Sequence, residues 1–174
     1  MKIPSTVTSI CFTGHRDISP AEQSMIVSKL TKLLDALAAK KGLNYCYAGG
    51  AIGLDTIAAE TVLSIKKHHN NLKLHLILPC EGQENQWTPE QKEVYNSIKS
   101  KADSVRVLSP FFYNGCMQSR NHELLLRSDL CIAYLRPGTS GGGSLNTVIQ
   151  ATKMGIPVIN LADPESEYLN EISK

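Results

Sequence analysis

Short apolar runs alternate with stretches of helical periodicity along nearly the whole chain, and this alternation limits the fold more than any other feature. Residues 7–12, 43–48, 72–78, 105–108, 130–135 and 158–161 read as strands. Between the first two, Ser19 is placed to cap a helix, Pro20 to sit at its first position and Glu22 to complete a capping box. Ile26, Leu30, Leu33, Leu34 and Leu37 follow at helical spacing, and Gly42 is a stop. Leu54, Ile57, Ala58, Val62 and Ile65 mark a second helical face, and Thr88 to Gln91 form a second capping box opening a helix to about residue 101. Further helices are expected over about 117–127 and from the glycine-rich loop at 137–144 to Met154. Strands separated by helices pair in parallel, and right-handed crossovers make the product a doubly wound, Rossmann-like α/β sheet with helices on both faces. The unalternating run Leu130-Cys131-Ile132-Ala133 suits a strand buried on both sides.

A chain of 174 residues holds one hydrophobic core, so residues 1–174 are expected to form a single domain. Lysine and arginine exceed aspartate and glutamate by 18 − 16 = 2. That small excess gives no footprint for sequence-independent nucleic-acid binding. No apolar run approaches the roughly 20 residues of a membrane span, and the first residues lack the apolar core of a signal peptide. The five cysteines form no C-x-x-C pair, which points to reduced thiols in a cytoplasm. The histidine spacing matches no metal motif, so neither a metal nor a cofactor is expected.

The unusual residues fall at one place in this fold. Thr13-Gly14-His15-Arg16 follows the first strand, Gly49 to Asp55 the second, Pro79 to Trp87 the third and Pro137 to Thr147 the fifth. In a parallel sheet all these loops lie at the carboxyl edge, where open α/β sheets bind ligands. Two of them are glycine-rich and run directly into helices; free N–H groups and the helix dipole favour a phosphate there. Ser140, Ser144 and Thr147 add hydroxyls, and Arg16 and Arg120 add guanidinium groups. The expected ligand is a phosphorylated small molecule, with a nucleotide as the leading kind. Neither loop matches G-x-G-x-x-G or the Walker A pattern, and a tight strand-to-helix turn is the plainer explanation for either one taken alone.

The stretches Cys11 to Arg16, Gly50 to Asp55 with Ala58-Ala59-Glu60, Leu78 to Glu84 with Trp87, Arg120-Asn121 and Ser128-Asp129 resemble the YpsA-like family of the SLOG superfamily. That superfamily is named for the DNA-processing protein DprA/Smf and the LOG phosphoribohydrolases. The resemblance spans residues 7 to 161 and implies a Rossmann-like fold with a nucleotide-derived ligand, NAD- or ADP-ribose-like or a nucleoside phosphate. It implies ligand contacts at Thr13, Gly14, His15, Arg16, Gly49, Gly50, Gly53, Asp55, Glu81, Glu84, Arg120, Asn121, Gly141, Gly142, Gly143, Ser144 and Thr147. LOG enzymes carry M-x-x-R-K-x-x-M and P-G-G-x-G-T-x-x-E. Here Met117 and Arg120 keep part of the first, while Thr147 stands where the second has its glutamate. Cleavage of a glycosidic bond calls for a carboxylate, and threonine is a poor substitute. Glu60, Glu81, Glu84 and Asp55 are the nearest replacements.

The leading reading is therefore a sensor or sequestering protein for such a ligand. A LOG-like hydrolase of nucleoside 5′-monophosphates is the alternative, and DprA-like DNA binding a more distant one. Arg16 and Arg120 are read as phosphate contacts, against simple salt bridges to Asp17 or Glu123; Asp55 is either a helix cap or a ribose contact. Trp87 is expected to pack rather than stack on a base. Phe111, Phe112 and Tyr113 suit either a subunit interface or a lid, and self-assembly into a homo-oligomer is expected.

Overall fold

The computed structural model describes residues 3–172 as six parallel strands and six helices. β1 (Ser9–Gly14) leads through α1 (Pro20–Lys41) to β2 (Tyr45–Ala48), then α2 (Leu54–Ile65), β3 (Lys73–Leu78), α3 (Pro89–Lys101) and β4 (Ser104–Val107). α4 (Cys116–Leu126), β5 (Leu130–Tyr134), α5 (Gly143–Lys153), β6 (Val158–Asn160) and α6 (Glu165–Ile172) complete it. The strand order is β4-β3-β2-β1-β5-β6, all parallel, so the chain is the Rossmann-like α/β sandwich that its alternation predicts.

Direction and handedness sort the helices. From β1 to β4 the strands are added toward one edge, so right-handed crossovers put α1, α2 and α3 on one face. From β4 the chain crosses back to β5 and on to β6, which puts α4 and α5 on the other face. Strand side chains divide accordingly. Ile10, Phe12, Leu130 and Ile132 join the larger core under α1 and α2, while Cys11 and Cys131, paired in register, join the smaller core under α4 and α5. Leu30, Leu33, Leu34 and Leu37 of α1 are fully buried, each contributing roughly 1.5–3 kcal/mol relative to exposure.

Both expected capping boxes form: Ser19 with Glu22 opens α1 and Thr88 with Gln91 opens α3. Gly42 ends α1 at φ 82°, in the left-handed region. α6 is not foreshadowed by the sequence reading. It packs Tyr168 and Ile172 into the larger core, and Lys29 of α1 reaches the carbonyls of Leu161 and Asp163 just before it. Among the described residues no helix is long and apolar enough to cross a membrane.

Candidate functional site

The strand order reverses at β1, whose neighbours are β2 and β5. The loop leaving β1 turns toward one edge and the loop leaving β5 toward the other, and the gap between them is where an open α/β sheet forms a crevice. A cleft of about 270 Å³ lies there. Thr13, Gly14, His15 and Arg16 line it from β1, and Ala51, Ile52 and Asp55 from the entry to α2. Met117, Arg120 and Asn121 line it from α4, and Thr139, Gly141, Gly142, Gly143 and Ser144 from the loop into α5.

The wall of the cleft is braced by a buried ion pair. Arg120, 5% exposed, places Nη1 3.4 Å from Oδ2 of Asp55, itself 7% exposed, and donates to the carbonyl of Gly49. Asp55 Oδ2 also accepts from the Ala51 N–H at 3.2 Å. Burial pushes the Asp55 carboxyl above its ordinary pKa, while the Arg120 charge and the Ala51 N–H oppose that rise. Arg120 Nε donates to Asn121 Oδ1 at 2.7 Å, and Asn121 Nδ2 donates to the Thr147 hydroxyl at 2.8 Å. Thr147 in turn donates to the Gly143 carbonyl at 2.8 Å. This chain of bonds links α2, α4 and α5. Arg120 thus holds the wall together and is committed to protein partners. Arg16 is exposed and makes no hydrogen bond or ion pair among the described residues.

Two further contacts fix the loops. The Ser144 hydroxyl donates to the Gly14 carbonyl at 2.7 Å. His15 Nε2 accepts from the Arg136 N–H at 3.1 Å, so its proton sits on Nδ1. Arg136 is held by Glu22 at 2.6 and 2.9 Å.

The helix starts fall into two groups. α1 and α3 open with full capping boxes. α2, α4 and α5 open behind Gly53, Gly115 and Gly142 with no side-chain cap, and their first turns contribute lining residues to the cleft. Three helix starts therefore bring the positive ends of their dipoles to one cavity, with the first N–H of α2 donating to the His15 carbonyl and that of α4 to the Tyr113 carbonyl.

The glycines separate in the same way. A Cβ at Gly49 would overlap Arg120, one at Gly50 would lie 2.6 Å from Leu78, and one at Gly53 would lie 2.5 Å from Arg16 Cα. Internal packing accounts for these three. At Gly141 and Gly143 a Cβ meets nothing within 4 Å and neither residue has a positive φ. The protein's own packing gives no reason for glycine at these two positions.

Among the other expected site residues, Gly49 and Gly50 stand behind the wall, and Gly53 faces a neighbouring depression. Thr147 is buried outside the lining. Glu81 and Glu84 do not line the cleft; the residue of their loop that reaches inward is Gln83, whose Nε2 donates to the Gly50 carbonyl at 3.2 Å and to Tyr95 OH at 3.3 Å. Phe12, Ala51, Ile52, Met117 and Thr139 also line the cleft without having been assigned to the site from sequence, although all five lie within stretches that the sequence singles out. Trp87 packs edge-on against Tyr95, as expected of it. Phe111 and Phe112 are 66% and 68% exposed. Among the described residues no group of three or more His, Cys, Asp or Glu side chains is placed to hold a metal.

The family model described as the YspA SLOG family matches residues 11–154. The chain is similar to the UPF0398 protein of Brevibacillus brevis, 33% identical over 87 residues, which are 50% of this chain and 46% of that protein. A UPF0398 protein of Bacillus pumilus is 29% identical over 118 residues, 67% of this chain and 63% of that one. One from Oenococcus oeni is 26% identical over 177 aligned positions, covering 95% of this chain and 94% of that one. The chain thus spans about half to two thirds of the first two relatives and nearly all of the third.

Proposed function

The chain belongs to the YspA SLOG family, and on that premise we propose that the cleft between β1 and β5 binds a nucleotide-derived small molecule through its phosphate, as a sensor or sequestering protein. One observation carries this reading. Gly141 and Gly143 stand at the uncapped start of α5, line the cleft and have no packing neighbour that requires glycine. Glycine there lets a ligand approach the backbone N–H groups at hydrogen-bonding distance. Arg16, exposed and without a hydrogen bond or ion pair among the described residues, supplies the counter-charge.

The hydrolase alternative needs a free carboxylate. Asp55 is the sole carboxylate among the described residues lining this cleft, and it is bound to Arg120 and the Ala51 N–H, while Glu60 and Glu90 line the adjoining depression instead. The Thr147 hydroxyl is engaged with Gly143 and Asn121. Binding without turnover is therefore the better-supported reading. The exposed Phe111 and Phe112 favour self-association, and five free buried thiols fit a reducing cytoplasm.

Thermal unfolding of the purified protein with AMP, ADP-ribose, cyclic ADP-ribose or NAD, followed by chromatography of each mixture, tests the proposal. A ligand at a hundredfold excess over its Kd stabilises by about 2.7 kcal/mol, a rise of roughly 5–10 °C for a chain of this length. A rise with the ligand recovered intact is expected. Release of free base would establish the hydrolase instead, and no rise with any of the four would overturn nucleotide binding.

A further inference from the structure

A second depression, of about 290 Å³, adjoins the first and shares Arg16 and Ile52 with it. Gly53, Thr56, Ile57 and Glu60 line it from one stripe of α2 at i, i+3, i+4 and i+7, a run of about 10 Å along the helix at 1.5 Å per residue. α1 and the loop before it contribute Gln23 and Ile18, and α3 contributes Glu90, Gln91 and Val94. The two spaces differ in chemistry. The first offers uncapped helix starts and the exposed guanidinium of Arg16. The second offers an apolar surface, Ile18, Ile52, Ile57 and Val94, rimmed by the carboxylates of Glu60 and Glu90 and the amide of Gln23, the Gln91 amide oxygen being engaged by the Thr88 N–H. Such a rim repels a second phosphate and accepts hydrogen bonds from amino and hydroxyl groups. The apolar surface suits the face of a flat ring.

We infer that the two depressions hold the two ends of one ligand, with Arg16 between them: the phosphate lies at the start of α5 and an uncharged, donor-bearing base lies against α2 and α3. This rests on the phosphate-binding reading above and deepens it by giving the base its own place, in the depression between α1, α2 and α3. The ligand is recognised as a nucleotide, by base and phosphate together, and a sugar phosphate engages only half of the site.

The test compares ribose 5-phosphate with AMP by calorimetric titration of the wild-type protein and of two variants, Gln23→Trp and Glu60→Ala. Both positions are exposed on helices, so the fold tolerates the changes. Gln23→Trp fills the second depression and Glu60→Ala removes an acceptor from its rim. AMP is expected to bind the wild type about tenfold or more tightly than ribose 5-phosphate, and each variant to erase most of that difference while leaving ribose 5-phosphate unchanged. Equal affinities for the two compounds, unaltered by either variant, would overturn the second half-site and leave the phosphate site standing. Failure of both compounds to bind the wild type would overturn both readings.

Discussion

The guanidinium of Arg120 occupies the space in which a side chain on Gly49 would begin, and its Nη1 donates to the Gly49 carbonyl while facing Asp55. An arginine on α4 thereby fixes the turn between β2 and α2, 71 residues earlier in the chain. The absent Cβ at Gly49 and the buried carboxylate at Asp55 are both consequences of that one side chain.

Arg120→Ala is expected to destabilise the protein by about 3–5 kcal/mol, because it leaves the Asp55 carboxylate buried without its partner. Urea unfolding at pH 7 measures this. A loss below 1 kcal/mol would show that the pair does not brace the wall. The cost of Arg120→Ala also makes it a poor probe of ligand binding, which is better tested where the fold does not depend on the residue.

Gly141→Ala and Gly143→Ala meet that condition. Each is expected to leave stability within about 0.5 kcal/mol, since the added methyl group meets nothing within 4 Å. Each is expected to cut the nucleotide-induced rise in Tm by more than half. Gly53→Ala is the contrast: with φ at 82° and His15 and Arg16 backbone in the way, it is expected to cost at least 1–3 kcal/mol by the order of magnitude of backbone strain. Unchanged ligand response in both loop variants would remove the argument from the glycines.

Arg16→Ala removes the lining guanidinium that makes no hydrogen bond or ion pair among the described residues. Stability is expected to change by no more than about 0.5 kcal/mol. The affinity for AMP is expected to fall about tenfold or more, because a charge-assisted bond to phosphate is lost. Calorimetric titration against the wild type reads the difference, and equal affinities would show that Arg16 does not touch the ligand.

Acid sensitivity is expected to be set in part at Asp129. Burial raises its pKa, but the N–H and hydroxyl groups of Thr8 and Ser9, all within 2.9–3.0 Å of Oδ2, outweigh burial and hold it below the ordinary value. A folded-state pKa below the unfolded value of about 3.9 means that the unfolded chain binds the proton more readily. The stability from this group is thus present above about pH 4 and lost as pH falls through the folded pKa. The gap in Tm between wild type and Asp129→Asn is therefore widest at pH 7 and narrows below pH 4. A gap independent of pH would contradict this.

No thiol is expected to react with an aromatic disulfide reagent in the native protein, and all five in denaturant. Each cysteine is at most 1% exposed, and burial pushes the thiols of Cys46 and Cys80 up, away from the reactive thiolate. One fast-reacting cysteine in the folded state would contradict the structure, with Cys80 the telling case because its loop begins at the carboxyl edge of β3.

The sequence by itself determined the order of the elements, their parallel pairing and the edge at which the unusual loops meet. These rest on local signals: apolar runs, helical spacing, and capping boxes such as Ser19 with Glu22 that act within four residues. α6 escaped because an eight-residue helix carries a weak periodic signal, and Tyr168 and Ile172 find their partners only in the folded core. The division of labour within the site was likewise invisible. Arg16 and Arg120 look alike as residues near glycine loops, yet one is exposed, with no hydrogen bond or ion pair among the described residues, and the other is buried against Asp55. Gly49 and Gly143 also look alike, yet a Cβ would collide at the first and meet open space at the second. Only the tertiary structure decided these, because a side chain's partner depends on which distant segment packs beside it, and local sequence carries no record of that neighbour.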